Sequence, residues 1–574
     1  MTLTISKSKN STSLYVTKSV RVAGKKTSKV VEKLGTVAEL EKELNGRDPI
    51  EWGKEYVKEL TRREQEGRRE IIIKCLPHKQ IDKNVNVLYS GGYLFLQRIY
   101  HDLGIDKICK KISERRKFDY DIDSVLSRLV YGRIIFPASK LATCELSKKF
   151  FEQPNFEVQH IYRALEALGE ETDFIQAELY KRSAKVIGRN AGVLYYDCTN
   201  YFFEIEQEEG LKQYGCSKEH RPNPIVQMGL FMDGDGLPLA FSVQKGNTNE
   251  QATLKPLEKK ILADFELSRF VVCTDAGLSS AANRRFNDIG GRAFITTQSV
   301  KKLKKLLKEW ALDSGGWLLS GEASDRKKLY DISKIEEAQH RGSTFYKEQW
   351  INEGKLEQRL IVTYSIKYRD YQRRVRGGQI GRAEKLVETN PAKLKKANQN
   401  DYKRFISKIS VTEYGEVAEN EAYSINKEAI EAEEIYDGFY AVCTNLEDDV
   451  ASVVKVNHRR WEIEECFRIM KHEFKARPVY VKRDERIKAH FMTCFISLLI
   501  YRILEKRLGG KYTCTQIIKE LRNMNFLEVP GEGYLPAYTR TDFTDALHDV
   551  FGFRTDYQIV SHGDMKKIIG KSKK

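Results

Sequence analysis

The segment GVLYYDCTNYFF, residues 192–203, decides the fold of this chain. It is apolar and aromatic up to a single acid, Asp197, and such a run predicts a buried strand that ends at the acid. A second segment, RFVVCTDAGLSS at residues 269–280, repeats the arrangement and reaches Asp275. Because residues at the carboxyl ends of strands in an α/β sheet line the crevice where ligands bind, both acids are candidate metal ligands. The alternative for each is an Asp that only caps the next helix or turn.

Strand and helix patterns alternate around these two segments. The stretches LYYDCT, IVQMGLFM and LPLAFSV predict three strands, and a helical pattern follows from Asn249 to about Ala263. The strand FVVCTD, a helix across AANRRFND and the strand RAFITT complete the series. The sequence therefore predicts a sheet with acids on its first and fourth strands.

A third acid stands in HRRWEIEECFRIMKHEF, residues 458–474, where Arg460, Glu464 and Lys471 are spaced R-x3-E-x6-K. At 100° per residue, Glu464 lies about 40° and Lys471 about 20° around a helix from Arg460, so the three share one face. One carboxylate between two cations suits a metal-bound phosphodiester, with the carboxylate on Mg²⁺ and the cations on the phosphates. An ordinary surface ion pair at i,i+4 is the alternative interpretation of Arg460 and Glu464.

Taken together, these segments resemble the DDE transposases of bacterial insertion sequences, in the subgroup with a Y-x2-R-x3-E-x6-K signature. The likeness extends, in the expected order, to GCSKEHRPNPIVQMGLFMDGDGLPLAF, GNTNEQATLKP and DGFYAVCTN. It covers roughly residues 190–300 and 435–505. The order of predicted strands and helices is that of an RNase H-like fold, the catalytic core that the resemblance also implies.

The resemblance assigns metal binding and catalysis to three acids: Asp197, Asp275 and Glu464. It assigns contacts with DNA phosphates to Arg460 and Lys471. Asn457 stands where the signature has Tyr. This departure affects one auxiliary phosphate contact and leaves the three acids untouched.

The resemblance further implies a DNA transposase that cleaves at the terminal inverted repeats of its insertion sequence and joins the 3′-hydroxyl ends to target DNA. Two Mg²⁺ ions, or Mn²⁺ as a substitute, would be held about 3.5–4 Å apart by the acids. The implied partners are double-stranded DNA with terminal inverted repeats, target DNA and a second copy of the chain in the DNA complex. The sequence contains no P-loop of the type G-x-x-x-x-G-K-[ST], consistent with a reaction that needs no nucleotide cofactor.

Two alternative functions stay open at this point. One is a metal-dependent nuclease without strand transfer, since Asp331 and Glu353-x-Lys355 have the rough spacing of such a site, although NEGKLE is typical of a turn. The other is a catalytically silent relative that only binds DNA. The presence of all three acids argues against this second alternative.

The charge of the chain indicates a polyanionic partner. Lys and Arg number 98 against 81 Asp and Glu, giving a formal net charge of +17 and a pI of about 9.1. Between Lys367 and Lys408 there are 13 basic and 4 acidic residues, with Tyr368, Tyr371 and Tyr402 among them. Such a stretch can follow a phosphate backbone and stack on unpaired bases. A solvated helix face is the alternative interpretation.

The ten cysteines contain no C-x-x-C pair, which disfavours a zinc knuckle or disulfide framework and indicates a reducing compartment. Cys198, Cys273 and Cys443 lie in or beside predicted strands, where packing is the expected role. The N-terminal segment MTLTISKSKNSTSLYV lacks the apolar core of a signal peptide. The apolar run FMTCFISLLIY from Phe491 is too short to span a bilayer and predicts a buried helix. We expect a cytoplasmic, nucleoid-associated protein with no membrane partner.

The distance between the acids predicts an insertion. Asp197 and Asp275 are 275 − 197 = 78 residues apart, whereas Asp275 and Glu464 are 464 − 275 = 189 residues apart, more than a simple RNase H-like core needs. Segments such as GGWLLSG, KKLYDIS and RLIVTYSI predict that the insertion is β-rich. It carries three tryptophans, Trp310, Trp317 and Trp350, for which packing is the preferred interpretation and stacking on a flipped base the alternative.

The predicted fold is therefore an α/β RNase H-like core, interrupted by a β-rich insertion domain and preceded by an α+β head and a helical block. The predicted boundaries are as follows: the head at 1–90, a helical and candidate DNA-binding domain at 91–189, the core at 190–297 and 436–505, the insertion with its basic segment at 298–435, and a helical tail at 506–574.

Overall fold

The computed structural model of the protein describes residues 1–8, 11–22, 25–44, 46–66, 71, 77–78, 80, 83, 85–322, 328–389, 401–410 and 421–574. By its internal contacts the chain divides into two units. The smaller consists of Met1–Val85 with Val529–Glu532, and the larger of Asn86–Glu528 with Gly533–Lys574.

The smaller unit is an antiparallel sheet followed by two helices. Its elements are β1 (Thr2–Lys7), β2 (Thr12–Val22), β3 (Lys25–Thr36), α1 (Val37–Glu43) and α2 (Pro49–Glu66). The strands lie in the order β1-β2-β3. Thr36 ends the last strand and begins α1 with a capping box, in which its hydroxyl accepts from Glu39 N–H and the Glu39 carboxylate accepts from Thr36 N–H.

A helical block opens the larger unit. Its elements are β4 (Leu88–Ser90), α3 (Tyr93–Asp102), α4 (Ile105–Arg115), α5 (Ile122–Ile135), α6 (Lys140–Ser147), α7 (Val158–Glu170) and α8 (Thr172–Val186). Helix α5 is buried along nearly its whole length, which explains why apolar residues occupy more than one of its faces. The block contributes much of the largest hydrophobic core.

The main sheet begins with the series predicted from the sequence. The elements are β5 (Val193–Phe202), β6 (Ile225–Asp233), β7 (Pro238–Lys245), α9 (Glu250–Asp264), β8 (Val271–Thr274), α10 (Ala281–Phe286) and β9 (Ala293–Gln298). Strands β5, β8 and β9 are parallel neighbours, while β6 and β7 continue the sheet antiparallel on the other side of β5. The predicted alternation of strands and helices is confirmed, and Cys198 and Cys273 are buried here as expected.

The region predicted as an insertion contributes strands to this same sheet. Its elements, with the strand that follows them, are α11 (Lys305–Leu312), β10 (Leu318–Leu319), α12 (Glu337–His340), β11 (Phe345–Glu353), β12 (Leu356–Tyr364), α13 (Ile366–Thr389), β13 (Ile406–Ser410), β14 (Glu421–Ile425), α14 (Lys427–Glu434) and β15 (Phe439–Thr444). The nine strands lie in the order β10-β11-β12-β15-β9-β8-β5-β6-β7. The insertion domain at 298–435 stays a prediction, but β12 pairs directly with β15 and so continues the main sheet.

The chain ends in helices and a small second sheet. The elements are α15 (Val450–His458), α16 (Trp461–Arg468), α17 (Asp484–Arg507), α18 (Cys514–Asn523), β16 (Asn525–Val529), β17 (Gly533–Pro536), α19 (Asp542–Phe551), β18 (Val560–Ser561) and α20 (His562–Ser572). The prediction of a purely helical tail is wrong, because three short strands here form a sheet in the order β18-β17-β16-β4. Strand β16 pairs with β4 from far earlier in the chain, a contact that local patterns do not reveal.

Helix α17 runs through the centre of the larger unit. It packs against α3, α5 and α7 and against β7 of the main sheet. Within the described residues it is the one helix long and apolar enough to cross a membrane by length and composition, and 94% of its most apolar window is buried inside the protein. The apolar run from Phe491 is thus part of a buried helix, as predicted.

Candidate active site

Strands β5 and β8 bring Asp197 and Asp275 to the same level of the sheet. The two strands are parallel, and their last paired residues are Tyr195 and Cys273. Two residues beyond this pair come Asp197 on β5 and Asp275 after β8. Since side chains alternate between the faces of a strand, the two acids project from the same face of the sheet as this pair.

Asp197 lies in the middle of β5 and not at its end, so that part of the prediction is wrong. Strand β8 ends at Thr274, whereas β5 continues to Phe202 because its other edge stays paired with β6, where Leu230 faces Asp197. Asp275 directly follows β8, as predicted. The site therefore forms where β5 extends beyond its shorter parallel neighbour.

Each acid uses one carboxylate oxygen for a local hydrogen bond. Asp275 Oδ1 accepts from Leu278 N–H at 3.0 Å and caps the 3₁₀ turn Ala276–Leu278. Asp197 Oδ1 accepts from Cys198 N–H at 2.8 Å. The capping role considered from the sequence is real for Asp275. It orients the carboxylate and still leaves an oxygen for a metal ion.

Electrostatics set Asp197 apart from an ordinary surface acid. Burial raises the pKa of Asp197 to about 6, and the negative charge of Asp275 adds to the rise, while Lys218 and Arg460 oppose it. A divalent cation bound by both carboxylates would relieve this repulsion, and hard cations prefer such oxygen ligands. The pair therefore fits a divalent metal ion.

Arg460 connects the third acid to this pair. Its Nη1 donates to Glu464 Oε1 at 3.5 Å, one helical turn away, and its side chain is 20% exposed whereas that of Glu464 is 60% exposed. Burial lowers the pKa of Arg460, but the neighbouring Tyr440, Asp275 and Glu464 raise it overall. Within the described residues the buried Arg460 Nε has no hydrogen-bond partner. This guanidinium beside two acids differs from an ordinary surface ion pair and keeps a donor for a phosphate.

The helix that carries Glu464 does not continue regularly to Lys471. A π-helical turn, Ile469–Glu473, directly follows α16. The prediction of one uninterrupted α-helix is therefore wrong, because the wider turn changes the rotation per residue and moves Lys471 away from the expected angle. Single π turns inside helices are frequent at functional sites.

Lys471 nevertheless reaches the strand that carries Asp197. Its Nζ donates to Thr199 Oγ1 at 2.6 Å, and Thr199 shares a face of β5 with Asp197. Its side chain is 13% exposed. Burial and the charge of Lys218 lower the pKa of Lys471 to about 8, while Asp197 acts in the opposite direction. Lys471 is thus a cation held close to the acid pair.

The three acids are not gathered as tightly as the ligands of a compact metal site. In the described part of the chain, only one group of three acid, His or Cys side chains has all its ligand atoms within 4.8 Å of one another: Asp545, His548 and Asp556. Arg554 pairs with both acids of that group, which gives it a structural explanation. Asp197, Asp275 and Glu464 do not meet this distance criterion together.

Two site residues escaped the sequence analysis. Lys218 donates from Nζ to the Cys198 carbonyl at 2.7 Å and pairs with Glu250 at 2.8 Å, which holds its charge beside Asp197. Tyr440 lies beside Arg460. Both fall within segments that carry the family resemblance, but no spacing rule connects them to the acids. Only the tertiary structure brings them together.

Tyr440 also bears on the departure at Asn457. The buried Asn457 donates from Nδ2 to Tyr440 Oη at 2.8 Å, and this hydroxyl also lies 2.7 Å from Thr297 Oγ1. The signature tyrosine is therefore absent from its usual position, but a phenol from β15 is held beside Arg460 by the residue that replaces it.

A cavity of about 580 Å³ opens beside Glu464. Its lining combines aromatic and basic side chains, among them Tyr368, Tyr371, Arg374, Tyr440, Arg460 and Trp461. Trp461 is exposed, and Tyr368 and Tyr371 stack with ring centroids 6.3 Å apart. Such a lining can accept an unpaired base together with its phosphate.

The three tryptophans considered for base stacking lie outside this cavity. Trp317 is fully buried and Trp310 packs against the same core, as the packing interpretation expects. Trp350 is exposed on β11. The cavity beside Glu464 is lined by none of the three.

The basic stretch Lys367–Lys408 begins with α13, and residues 390–400 within it lie outside the described residues. Arg376 pairs with Asp437 through two hydrogen bonds of 2.6 Å and is buried. Arg376 therefore does not follow the expectation that the basic residues of this stretch contact a phosphate backbone, because its charge is already neutralised inside the protein.

Two other arginines of α13 are more accessible to a DNA phosphate than Arg376. Arg373 is 56% exposed and lies 3.4 Å from Asp437. Arg374 lines the cavity and lies over the Tyr371 ring at 5.9 Å. These two cations remain candidates for binding phosphates.

The residues considered for a nuclease site do not form one. Glu353 and Leu356 close the β11–β12 hairpin around Gly354 and Lys355, so NEGKLE is a turn as predicted. Glu353 pairs with the buried Arg284 at 3.0 Å. Asp331 accepts from Ser333 N–H and Oγ.

Comparison with known proteins gives no significant match to a curated protein. Among solved structures, the chain is similar to piggyBac transposase in a synaptic complex with hairpin DNA, at 8% identity, 84% coverage of this chain, 88% of the other and a TM-score of 0.37. It is also similar to Mos1 transposase in a paired-end complex with the left transposon end, at 10% identity, 41% and 64% coverage and a TM-score of 0.13. At such TM-scores neither structure contributes to the assignment.

The family comparison is decisive. Residues 202–500, more than half of the chain, match the family described as transposase DDE domain. The match begins within β5, just after Asp197, and includes Asp275, Arg460, Glu464 and Lys471. The protein therefore belongs to the DDE transposase family.

Proposed function

We propose that the protein cleaves DNA at the terminal inverted repeats of an insertion sequence and joins the freed 3′ ends to target DNA. The proposal rests chiefly on the register of β5 and β8, which sets Asp197 and Asp275 side by side, with Arg460 between this pair and Glu464. The order of strands and helices from β5 to β9 is typical of an RNase H-like core, and we assign the catalytic domain to that fold.

DDE transposases generally use divalent metal ions. We assign Asp197, Asp275 and Glu464 as ligands of two Mg²⁺ ions, with Mn²⁺ as a substitute. When bound, the ions would activate the attacking oxygen and stabilise the leaving oxygen of the phosphodiester. The raised pKa of Asp197 supports this role, because two close, partly buried carboxylates need a counter-cation. Glu464 is exposed, so its side chain can change rotamer without disturbing the core.

The cations around the acids would position the scissile strand. Lys471, anchored on Thr199, and Arg460, with a free buried Nε in the described structure, would each donate to a phosphate oxygen. Lys218 would keep its charge beside Asp197 and reduce the repulsion that a DNA phosphate meets there. In this proposal Arg460 and Lys471 would hold the substrate, while the acids would hold the metal ions.

The proposed reaction has two phosphoryl-transfer steps. In the first, water attacks the phosphodiester at the element end, and the 3′ oxygen of the element leaves. In the second, that 3′-hydroxyl attacks a phosphodiester of target DNA, so one P–O bond forms as another breaks and no ATP is consumed. Neither step needs a covalent bond between protein and DNA.

The cavity beside Glu464 supports a partner in which bases become unpaired near the cut. Its tyrosines and Trp461 offer stacking surfaces, and Arg374 and Arg460 offer charge for the adjoining phosphate. We assign the region 298–435, which supplies α13 and part of this cavity, as an insertion domain that contacts the element end. A DNA complex with two copies of the chain would bring two such ends together.

The test is a reaction of the full chain with a plasmid that carries the short inverted repeats flanking its gene, in the presence of Mg²⁺. We expect cleavage at the repeat ends followed by joined products with target DNA. Cleavage without any joining would favour a nuclease over a transposase. Binding without cleavage in either Mg²⁺ or Mn²⁺ would contradict both.

A further inference from the structure

A second pocket, of about 360 Å³, lies where α5, α6 and α17 meet the segment that follows the π-helical turn. Its titratable lining side chains, apart from two tyrosines, are basic: Arg133, Lys140, Lys475, Arg477 and His490. Within the described chain, no Asp or Glu lines this pocket. We call it the α5–α6–α17 pocket.

Two of its cations are buried with no ion pair to an acid among the described residues. Lys140 and Arg133 are each 6% exposed. In the described part of the chain, Lys140 Nζ and Arg133 Nε have no hydrogen-bond partner. Buried charges are normally paired, because desolvation disfavours an isolated ion. Two such groups in one pocket indicate a site for an anion.

The electrostatics around the pocket also indicate a site for an anion. Burial and the nearby charge of Arg133 lower the pKa of Lys140 to about 7. Burial, with Lys140 and Arg133, also lowers the pKa of His490 well below its usual value, and its ring bonds to the Ala476 carbonyl. His490 is therefore neutral and does not add a third positive charge. An anion in the pocket would raise the pKa of Lys140 again, because it would neutralise the positive charge around it.

The geometry of the pocket is held firmly. Arg133 Nη1 donates to the carbonyl oxygens of Phe474 at 3.1 Å and Lys475 at 3.4 Å, which fixes the guanidinium between α5 and the loop. Helix α6 begins at Lys140 with Ser139 as its N-cap, so the positive end of a helix dipole also faces this region. The Arg133 guanidinium is thus preorganised, and Lys140 begins the helix at the same wall of the pocket.

The pocket is linked to the candidate active site through one acid. Arg477, at the pocket wall, pairs with Glu219, and Glu219 Oε1 lies 3.9 Å from Lys471 Nζ. The chain that follows the catalytic helix therefore passes from Lys471 to the pocket within a few residues. A strand held at Lys471 would need only a short path to reach it.

We propose that the α5–α6–α17 pocket binds a phosphate group, and that this phosphate belongs to the backbone of the DNA strand held at the active site. The choice of DNA as the source rests on the proposed function, whereas the phosphate chemistry rests on the pocket alone. A phosphate suits two converging cations and a helix N-terminus, because it accepts several charge-assisted hydrogen bonds at once. The pocket volume lies at the small end of ligand sites, which fits a phosphate with its adjoining sugar.

The first experiment measures thermal unfolding of the full chain with and without inorganic phosphate, at constant ionic strength. Lys140→Met removes the charge and keeps much of the side-chain volume, and Lys149→Met, at an exposed lysine just beyond α6, is the matched control. We expect phosphate to raise the Tm of the parent and of Lys149→Met but not of Lys140→Met. An equal response in all three proteins would overturn the phosphate site.

The second experiment measures the salt dependence of binding to duplex DNA of random sequence. We expect Lys140→Met to lower the log–log slope by about one unit and the affinity several-fold, with a smaller effect from Lys149→Met. Lys475→Met, at an exposed lysine on the pocket rim, keeps the test available if Lys140→Met fails to fold. If Lys140→Met no longer responded to phosphate but kept the parent slope, DNA would be overturned as the source and the pocket would be a site for free phosphate.

Neither experiment depends on catalysis. If cleavage and joining failed while both binding effects followed Lys140, the proposed function would fall and the pocket would stand. If cleavage and joining succeeded while neither binding effect followed Lys140, the pocket proposal alone would fall.

Discussion

The acids of the proposed metal site are held in two different ways. Asp197 and Asp275 belong to neighbouring parallel strands of a nine-stranded sheet, where pairing of the backbone sets their positions. Glu464 lies on a short helix that ends in a π-helical turn, is 60% exposed and has a long contact with Arg460. We call Asp197 and Asp275 the sheet half of the site, and Glu464 with Arg460 the helix half. The sheet half is preorganised, whereas the helix half can adjust.

This difference shows how the site divides its tasks. The strand pair carries electrostatic strain before any ion binds, because burial and mutual repulsion raise the pKa of Asp197. The helix half carries the cations and lies beside the aromatic cavity, so it is placed to respond to DNA. The sheet half should therefore dominate metal binding, whereas the helix half should contribute one metal ligand and most of the contacts with the substrate.

The largest expected effect would show that both halves are needed for chemistry. We expect Asp197→Asn, Asp275→Asn and Glu464→Gln each to reduce Mg²⁺-dependent cleavage by about 1,000-fold or more, because members of one catalytic unit act together. DNA binding, measured by gel shift, should persist in all three. Cleavage near the parent rate in any one variant would remove that residue from the site.

The next effect concerns the cation that joins the two halves. Lys471→Ala should lower the cleavage rate by about 100-fold but change DNA affinity much less, since Lys471 is anchored on Thr199 beside the acids. Single-turnover cleavage and equilibrium binding measure the two quantities. Lys455→Ala, at an exposed lysine on α15, is the control and should leave the rate unchanged. Equal losses of rate and affinity would make Lys471 a simple binding residue.

A measurement of the free energy of unfolding would distinguish the sheet half from the helix half directly. The folded-state pKa of Asp197 is raised from 3.8 to about 6, so its contribution to stability is fully present below about pH 3.8 and is lost as pH rises through about 6. In metal-free protein at pH 7.5, Asp197→Asn should therefore raise the free energy of unfolding by about 1–3 kcal/mol. Glu464→Gln should change it by less than about 0.5 kcal/mol, because that side chain is exposed.

Two controls test this prediction: lowering the pH and adding Mg²⁺. The gain from Asp197→Asn should vanish below about pH 4, where the parent carboxyl is protonated in both states. Mg²⁺ should stabilise the parent and not the variant. A destabilised Asp197→Asn at pH 7.5 would mean that the sheet half is not strained, and the contrast with Glu464 would disappear.

The smallest expected effect tests whether DNA binding extends from the helix half to the arginines of α13. Replacing Arg373 and Arg374 together by Ala should weaken binding to element ends and to random DNA alike, and lower the log–log salt slope by roughly one unit for each DNA phosphate that these arginines neutralise. Arg376→Ala is the matched contrast. It should lower the free energy of unfolding by about 3 kcal/mol, because the buried Asp437 then loses two hydrogen bonds of 2.6 Å and keeps only the longer contact with Arg373. An unchanged slope for the double variant would show that these arginines only face solvent.

Much of the catalytic region was predictable because its signals are local. The alternation of strands and helices from β5 to β9 follows from apolar runs broken by turns. The same runs point to Asp197 and Asp275 as candidates, and a short spacing points to Arg460, Glu464 and Lys471. The position of Asp197 inside β5 was not predictable, because the length of β5 depends on pairing with β6. The π-helical turn at Lys471 likewise leaves no mark in the spacing.

Other features depend on contacts between distant segments. Lys218 and Tyr440 reach the site only through folding. Asp437 neutralises the buried Arg376, which a charge count along the chain does not reveal. The pairing of β12 with β15 and of β16 with β4 also joins segments whose local patterns carry no partner information.

The sequence by itself determined the family, the chemistry-bearing residue types and the order of elements in the core, because these are recorded in composition, periodicity and short spacings. Only the tertiary structure decided which charges are free, which are paired and which acids stand together. The reason is physical: the burial and the partners that set the pKa and availability of a charged group come mostly from residues far away in the chain.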